Sequence, residues 1–228
     1  MEKSWDSYEK PSVTVDIVIF TIQQNELKVL LIRRGLEPFK NSWAIPGGFV
    51  KLSESLEEAA KRELFEETGV KDVYLEQLYT FGEVKRDPRG RVITISYLAL
   101  INSNNVNLKA STDVVEAKWF SLGNLSKLAF DHENILNYAL KRLRWKFEYT
   151  SVAFSLLPEK FSMSQLQKLY EVVFNKKFDK RNFNKKIHSL NILKEGAILK
   201  EVSYRPPKLY TLKKNIPSIL EIIKPSAE

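Results

Sequence analysis

The acidic run within residues 48–70 constrains this chain more than any other part of its sequence. Glu63, Glu66 and Glu67 fall within about one helical turn, where like charges three and four residues apart repel by roughly 0.2–0.5 kcal/mol per pair. One interpretation is an ordinary solvated acidic face. The other is a cation held between the carboxylates, and Mg²⁺ suits such ligands because it binds through a few carboxylates together with substrate phosphates.

The residues around these carboxylates predict a loop–helix–loop. Ser55 and Glu58 have the spacing of a capping box, which predicts that a helix begins there. Glycines precede the helix at Gly47 and Gly48 and follow it at Gly69. Apolar residues at helical spacing give the helix a predicted buried stripe, formed by Leu56, Ala59, Ala60 and Leu64.

Residue counts exclude several kinds of site. The 228 residues include no cysteine, so the chain has neither disulfides nor thiolate metal ligands, which fits a cytoplasmic protein. The two histidines, His132 and His188, give little support to a Ser-His-Asp or Cys-His mechanism. No apolar run approaches the ~18–20 residues that span a bilayer, and the N-terminus lacks the apolar stretch of a signal peptide.

Charge is divided unevenly along the chain. Residues 1–150 contain 21 Lys/Arg and 21 Asp/Glu, whereas residues 151–228 contain 15 Lys/Arg and 7 Asp/Glu, so the whole net charge of +8 lies in the last third. Such asymmetry predicts a basic partner-binding module, with nucleic acid as the first candidate, or else a soluble domain with a basic surface. We therefore predict two domains, residues 1–150 and 151–228.

Hydrophobic patterning predicts an α/β first domain. β-Branched runs over residues 13–22 and 27–32 predict two strands joined by a turn at 23–26. The order of strands and helices predicts a layered α/β/α sandwich. The remaining predicted elements are strands over 73–79, 92–101 and 118–120, and a helix over 131–147.

The basic third contains a predicted helix-turn-helix. Ser162 and Gln165 have capping-box spacing before an amphipathic helix that ends near Phe174, and Asp179 is positioned to cap a second helix through Leu190. Lys and Arg bind phosphates, while Arg and Asn recognise base edges, so the second helix suits DNA recognition. Its apolar face comprises Phe183, Ile187 and Leu190, and its polar face comprises Arg181, Asn184, Lys185 and His188.

Two strands, over residues 198–202 and 209–212, are predicted to complete a winged helix. A basic tip that contains Arg205 and Lys208 joins them and could lie on the DNA backbone. The alternatives for this region are a small basic helical cap and an oligomerisation domain.

The spacing G-x5-E-x7-R-E-U-x-E-E-x-G-U, where U is aliphatic, is that of the Nudix box, and residues 48–70 match it at every fixed position. With its flanking motifs, the chain resembles the Nudix-related transcriptional regulators, whose best-known branch is the NrtR repressors of NAD-metabolism genes. The resemblance covers nearly the full length. The supporting segments are residues 43–48, 79–82, 86–91, 161–162, 179–183 and 205–207.

This resemblance implies a Nudix domain that binds ADP-ribose as an effector and a winged helix that binds operator DNA. It also implies a homodimer, which suits a palindromic operator. Some family members retain ADP-ribose pyrophosphatase activity, many only sense their ligand, and a related branch responds to arabinose, typically with an eroded box. The complete box favours metal and diphosphate binding over the sugar-responsive branch.

The resemblance also suggests roles for individual residues. Glu63, Glu66 and Glu67 would bind Mg²⁺, Arg62 would orient these carboxylates, and Glu54 would support the loop or a further metal, which makes all five the candidate catalytic residues. Candidate ligand contacts are Arg33, Arg34, Gly47, Gly48, Arg86 and Arg91, with Glu83 or Glu116 as a possible general base. Candidate DNA contacts are Lys180, Arg181, Asn184, Lys185, His188, Arg205 and Lys208.

Three functions remain open from the sequence. The first is an effector-responsive transcriptional regulator that binds ADP-ribose, a related nucleoside diphosphate or a sugar such as arabinose. The second is a Mg²⁺-dependent ADP-ribose pyrophosphatase with a basic appended domain. The third is an RNA-directed, decapping-like hydrolase. The predicted recognition helix and wing favour the first.

Overall fold

A β-branched run near the start of the chain forms the central strand of a sheet. The computed structural model describes residues 7–69, 71, 73–101, 114–198, 207–217 and 219–223. Residues 14–21 of the first strand are all buried, so both faces of that strand are covered. The strands of this sheet are β1 (Ser12–Gln23), β2 (Glu26–Arg34), β3 (Trp43–Ala44), β4 (Gly47–Phe49), β5 (Tyr74–Phe81), β6 (Val92–Leu100) and β7 (Val114–Ser121).

The strand order is β3–β2–β1–β6–β5, and in addition β4 pairs with β1 and β7 pairs with β2. The predicted hairpin between β1 and β2 is present, and its turn residues Gln24 and Asn25 have positive φ angles of 53° and 61°. Strand β7 begins at Val114, earlier than the predicted start at Lys118. Its first part was missed because exposed residues follow Val114 and break the apolar pattern.

The box segment forms the predicted helix, α1 (Leu56–Thr68). Ser55 Oγ accepts a hydrogen bond from the Glu58 N–H at 3.3 Å, and the Glu58 carboxylate accepts one from the Ser55 N–H at 2.8 Å. This reciprocal pair is the predicted capping box. At the other end Gly69 closes the helix in the left-handed conformation, with φ at 73°, which a glycine adopts without a steric penalty.

The loop expected before α1 contains the two short strands β3 and β4. In β4, Gly48 lies opposite Val15 and Gly47 lies opposite Asp16 of β1. Strands of two or three residues carry no measurable alternation, so the sequence pattern could not predict them. Their effect is to hold the backbone of Gly47 and Gly48 against the central strand.

The C-terminal region forms the predicted winged helix. Its Ser162–Gln165 capping box is present, and Asp179 caps the second helix by accepting a hydrogen bond from the Asn182 N–H at 2.8 Å. Tyr170 and Phe183 bring the two helices together, with ring centroids 5.5 Å apart. The elements are α2 (His132–Tyr149), which precedes the region, then β8 (Phe161–Ser162), α3 (Met163–Phe174), α4 (Lys180–Ser189), β9 (Leu193–Ile198) and β10 (Lys208–Leu212).

The small sheet has the order β8–β10–β9, which places β10 in the centre. The first wing strand differs from its prediction, because β9 covers Leu193–Ile198 whereas a strand was predicted over 198–202. Residues 199–202 and the predicted tip with Arg205 lie outside the described residues. The polar residues Lys194 and Glu195 interrupt the apolar pattern, so the sequence did not predict a strand here. In the ladder, Glu195 lies opposite Tyr210 of β10.

Contacts divide the chain into two compact units. The first comprises Met1–Ile19, Val29–Ala99 and Val106–Ala139, and the second comprises Phe20–Lys28, Leu100–Asn105 and Leu140–Glu228. The division into residues 1–150 and 151–228 remains a prediction. None of the helices in the described part of the chain is long and apolar enough to cross a membrane.

Candidate functional site

A cleft of about 400 Å³ lies in the first unit. Residues of β1, β2, β4 and α1 line it, together with the loop before β6 and the start of α2. The carboxylates of Asp16, Glu63, Glu66 and Glu67 face a cleft that also contains the guanidinium groups of Arg34, Arg86 and Arg89. The cleft therefore combines an acidic wall with a basic one, which suits an anionic ligand that carries a bound cation.

Arg62 organises the carboxylates of the box. Its Nε and Nη2 donate to Glu54 Oε2 and Oε1 at 2.8 and 2.6 Å, and its Nη1 donates to Glu63 Oε1 at 2.6 Å and to Glu66 Oε2 at 3.1 Å. Nη2 also donates to the Phe49 carbonyl at 3.1 Å. The hydrogen bonds from Arg62 lower the pKa of Glu54 to about 2. Neither Arg62 nor Glu54 lines the cleft, so both act through neighbours that do.

Glu63 and Glu67 are buried on the inner side of α1. Burial raises the pKa of Glu67 to about 8, and although the Gly47 N–H donates to its Oε2 at 2.8 Å, the nearby Glu63 and Asp16 charges raise the pKa further. Burial likewise raises the pKa of Glu63, against the opposing effect of Arg62. Negative charge is thus crowded here with too little positive charge to balance it.

This imbalance, and the oxygen donors that produce it, fit a hard divalent cation. Glu63, Glu66 and Glu67 could supply its ligands. Among the residues that the structure describes, however, no group of three acidic or histidine side chains is already arranged to hold an ion. Arg62 occupies one oxygen of Glu63 and one of Glu66, so a bound ion would compete with the guanidinium for these atoms.

Two glycines keep this wall closely packed. A Cβ atom on Gly48 would lie 2.3 Å from Glu63 Oε1, and a Cβ on Gly47 would lie 2.2 Å from the Val15 carbonyl oxygen. Both distances are far below van der Waals contact. The absence of a side chain at Gly48 therefore lets the Glu63 carboxylate approach the β4 backbone.

Arg86, a predicted ligand contact, lies in the cleft wall but is bound by two acids, the partly buried Asp131 and the buried Asp16. Its Nε and Nη2 donate to the Asp131 carboxylate at 3.0 and 2.7 Å, and Nη2 lies 3.5 Å from Asp16 Oδ2. His132 is buried beside this group, where Nδ1 accepts a hydrogen bond from the Ile45 N–H at 2.9 Å and burial lowers its pKa. This network joins the start of α2 to the strand that carries Asp16.

The structure brings together some predicted ligand contacts and separates others. Arg34, Gly47, Gly48 and Arg86 line the cleft, whereas Arg33 and Arg91 do not. Arg33 donates to the Asn41 carbonyl instead, and Arg91 donates to the Gly82 carbonyl at 2.7 Å. The possible general bases are exposed and also lie outside the cleft lining, at Glu83 and Glu116.

Several cleft residues were missed from the sequence, namely Asp16, Phe49, Asp87, Arg89, Phe130 and His132. They come from segments far apart along the chain, so no local spacing connects them. Only the turn-rich segment 86–91 gave a signal, and it selected Arg86 and Arg91 rather than Arg89. A search for charged residues at the ends of buried strands would have found Asp16 but not Phe130.

The second unit presents the predicted basic face. Lys180, Arg181, Lys185 and His188 are exposed on α4, while Phe183 and Ile187 are buried on its other side. Asn184 is half-buried, and its Oδ1 has no hydrogen-bond partner among the described residues. Lys208 is exposed on β10 and forms an ion pair with Glu195 at 3.1 Å.

These features define a class of protein, a Nudix domain followed by a winged helix. Models of two families match accordingly: the NUDIX domain over residues 10–142 and the NrtR DNA-binding winged helix domain over residues 153–212. The ADPR responsive transcriptional repressor NtrR of Acinetobacter baylyi is 38% identical over 211 residues, which cover 89% of this chain and 82% of the repressor. The chain belongs to the NrtR family of Nudix-related transcriptional regulators.

Two further proteins are similar to the chain. The crystal structure of Shewanella oneidensis NrtR complexed with a 27mer DNA has a TM-score of 0.79 and 34% identity, covering 92% of this chain and 99% of that one. The Nudix domain of the same protein, complexed with ADP ribose, has a TM-score of 0.57 and 37% identity, covering 62% and 94%. An ADP-ribose pyrophosphatase of Methanocaldococcus jannaschii is 42% identical over 144 residues, covering 63% of this chain and 80% of the enzyme.

Proposed function

We propose that this protein regulates transcription in response to a ligand, with ADP-ribose or a related nucleoside diphosphate bound in the Nudix cleft and operator DNA bound by the winged helix. The observation that carries the proposal is the presence, in one chain, of a cleft with acidic and basic walls and of a helix with an exposed basic face. The Acinetobacter repressor supports it, because the similarity spans both parts of the chain.

The cleft suits a diphosphate that carries a metal ion. Mg²⁺ would be held by Glu63, Glu66 and Glu67, and when bound it would neutralise diphosphate charge and lower the pKa of a bound water. Arg62 holds Glu63 and Glu66 in place, and Gly47 and Gly48 keep the β4 backbone close to the ligand. An uncharged sugar has no anionic group to pair with the arginines or with a cation on the carboxylates, which makes arabinose the weaker candidate.

The α4 face suits DNA. Lys180, Arg181, Lys185 and His188 would contact phosphates and base edges in the major groove, with Arg205 and Lys208 on the backbone. Asn184 would have to turn outward to reach a base, since its amide oxygen is buried. A homodimer would place two such helices on a palindromic operator.

A second function is favoured by one specific observation, the complete set of box carboxylates organised by Arg62. This set supports a Mg²⁺-dependent ADP-ribose pyrophosphatase, as does the similarity to the Methanocaldococcus enzyme. Incubation of ADP-ribose with the protein and Mg²⁺ should then yield AMP and ribose 5-phosphate. If high protein concentrations give no product, the cleft only senses its ligand.

The regulatory proposal is tested by selecting duplexes that bind the protein from a random-sequence pool. We expect a palindromic consensus, and we expect ADP-ribose to change the affinity for it. Failure to recover any sequence preference would leave a hydrolase with a basic domain as the better account.

A further inference from the structure

Strand β5 lies at the end of the large sheet, and its apolar side chains are poorly covered. Among the described residues it follows β6 in the order β3–β2–β1–β6–β5. None of its eight residues is buried, whereas all residues of β6 except Ile93 are buried. A long apolar strand at the edge of a sheet readily pairs with another chain. The apolar side chains of β5 are Tyr74, Leu75, Leu78, Tyr79 and Phe81.

One face of β5 bears an aromatic cluster. Tyr79 and Phe81 are two positions apart, so they lie on the same face of the strand, and their ring centroids are 5.3 Å apart. Tyr138 of α2 completes the cluster, with its ring 4.9 Å from Tyr79 and 6.0 Å from Phe81. Even so, 52% of Tyr79 is exposed. Half-exposed aromatic side chains beside a sheet edge are typical of a protein–protein interface.

The charges around β5 favour a second copy of the chain as the partner. A two-fold axis perpendicular to the sheet pairs odd-numbered residues with odd-numbered ones, which keeps both aromatic clusters on one face. With the axis at Gln77, Leu75 of each copy lies opposite Tyr79 of the other. The exposed residues Lys71 and Glu83 flank the strand, and each then approaches the opposite charge on the second copy. Opposite charges at such cross-strand positions stabilise the pairing.

The two neighbouring registers lack this complementarity. An axis at Glu76 would place two carboxylates opposite each other, and an axis at Leu78 would bring Lys71 towards Lys85 of the second copy. Like charges opposite each other destabilise a pair of strands. The charges therefore select the register that is centred on Gln77.

We propose that β5 of two copies pair antiparallel in this register and form the subunit interface of a homodimer. Backbone hydrogen bonds between the strands would supply affinity, and the apolar side chains would bury one another. Residues 1–150, which contain β5, have 21 basic and 21 acidic residues, so two such regions meet without net repulsion. The proposal rests on the homodimer of the function proposed above and assigns the surface through which its two copies meet.

The absence of cysteine from the chain provides a direct test. Opposite residues of an antiparallel pair have Cα atoms about 4.5–5.5 Å apart, which is within reach of a disulfide. Gln77→Cys should therefore form a covalent dimer on mild oxidation of the full chain, seen on a non-reducing gel. Thr80→Cys is the matched control, because Thr80 is also exposed on β5 but would lie about 20 Å from its own copy. It should remain largely without a cross-link.

Analytical ultracentrifugation of the same full-length chain measures the dimer dissociation constant. Lys71→Glu should raise this constant by about twofold to thirtyfold, because it replaces two exposed ion pairs with like charges. Adding Glu83→Lys to that variant should restore the wild-type constant. Both variants should bind ADP-ribose as the wild type does, since neither residue lines the cleft.

Two results would overturn the proposal, and they differ in what they leave standing. A wild-type dimer whose Gln77→Cys variant does not cross-link would place the interface elsewhere and leave the proposed function intact. A wild type that is monomeric at micromolar concentrations would overturn the interface together with the homodimer, and would leave the edge of β5 to a different protein. Loss of ADP-ribose binding in the wild type would count against the proposed function alone.

Discussion

Arg62 holds Glu54 through two parallel hydrogen bonds, from Nε to Oε2 at 2.8 Å and from Nη2 to Oε1 at 2.6 Å. The same guanidinium reaches Glu63 and Glu66 through Nη1. One cation therefore contacts three carboxylates around the start and middle of α1 and offsets part of their charge. The acidic helix face that appeared electrostatically unfavourable in the sequence is stabilised by an arginine that belongs to the same motif.

Substitutions of Arg62 should distinguish the contribution of its charge to stability from that of its guanidinium geometry. Arg62→Ala leaves three carboxylates without their common partner, and we expect a thermal midpoint lower by about 2–4 °C. Arg62→Lys keeps the charge but cannot form the two parallel hydrogen bonds with Glu54, so its thermal midpoint should lie between those of the wild type and Arg62→Ala. Differential scanning fluorimetry gives the comparison. Equal midpoints for Lys and Arg would show that the fork geometry is unimportant for stability.

Glu67 should make stability depend on pH. Its folded pKa of about 8 lies above the ordinary value of 4.5, so the folded state retains a proton that the unfolded state has lost between those values. This contribution is fully present below pH 4.5 and is lost as the pH rises through 8. We expect the free energy of unfolding of the wild type, relative to Glu67→Gln, to fall by roughly 1–4 kcal/mol across this window.

The measurement is urea unfolding of both proteins with a chelator present, since a bound cation would compete with the proton. The comparison with Glu67→Gln is needed because His132, whose pKa is lowered by burial, changes stability in the opposite direction near neutral pH. A constant difference between the two proteins from pH 5 to 8 would contradict the raised pKa of Glu67.

Gly47 and Gly48 offer a matched pair of substitutions. The Cβ of Gly47→Ala meets the fixed Val15 backbone, whereas that of Gly48→Ala meets the movable Glu63 side chain. We expect Gly47→Ala to lower the free energy of unfolding by about 1–3 kcal/mol. Gly48→Ala should cost less stability but should weaken Mg²⁺ binding, because Glu63 must move. Chemical unfolding and Mg²⁺ titration by calorimetry test the two effects. A larger loss of stability in Gly48→Ala than in Gly47→Ala would contradict this expectation.

Substitutions on the basic face of α4 should change operator binding and leave ADP-ribose binding unchanged. Arg181→Ala and Lys185→Ala should each weaken operator binding and lower the slope of its salt dependence by about one, if each contacts one phosphate. Both should bind ADP-ribose as the wild type does. Lys141→Ala, which removes an exposed charge from α2, is the control. Fluorescence anisotropy with a labelled duplex measures the operator affinity of the three variants. Wild-type operator affinity in both Arg181→Ala and Lys185→Ala would reject α4 as the recognition helix.

Local sequence patterns predicted the helices of the two functional regions well. Ser55 with Glu58 and Ser162 with Gln165 fix where α1 and α3 begin, because a capping box uses atoms only three residues apart. The buried and exposed faces of α4 likewise follow from its 3.6-residue period, as Phe183 and Ile187 show.

Contacts between distant segments could not be predicted. Arg86 and Asp131 are separated by 45 positions, so the sequence gave no reason to expect that Arg86 is buried in an ion pair. Arg33 and Arg34 look equivalent in the sequence, but only Arg34 lines the cleft. Adjacent side chains of a strand point to opposite faces, and only the assembled sheet shows which face bears the site.

A protein that regulates transcription in response to its ligand must link the Nudix cleft energetically to the winged helix. This linkage is tested most directly by measuring the operator affinity without and with saturating ADP-ribose, and the ADP-ribose affinity without and with operator. We predict that ADP-ribose lowers operator affinity by at least about fivefold and, because linkage is reciprocal, that operator lowers ADP-ribose affinity by the same factor. An operator affinity unchanged within twofold, in a protein that binds both molecules, would contradict the account.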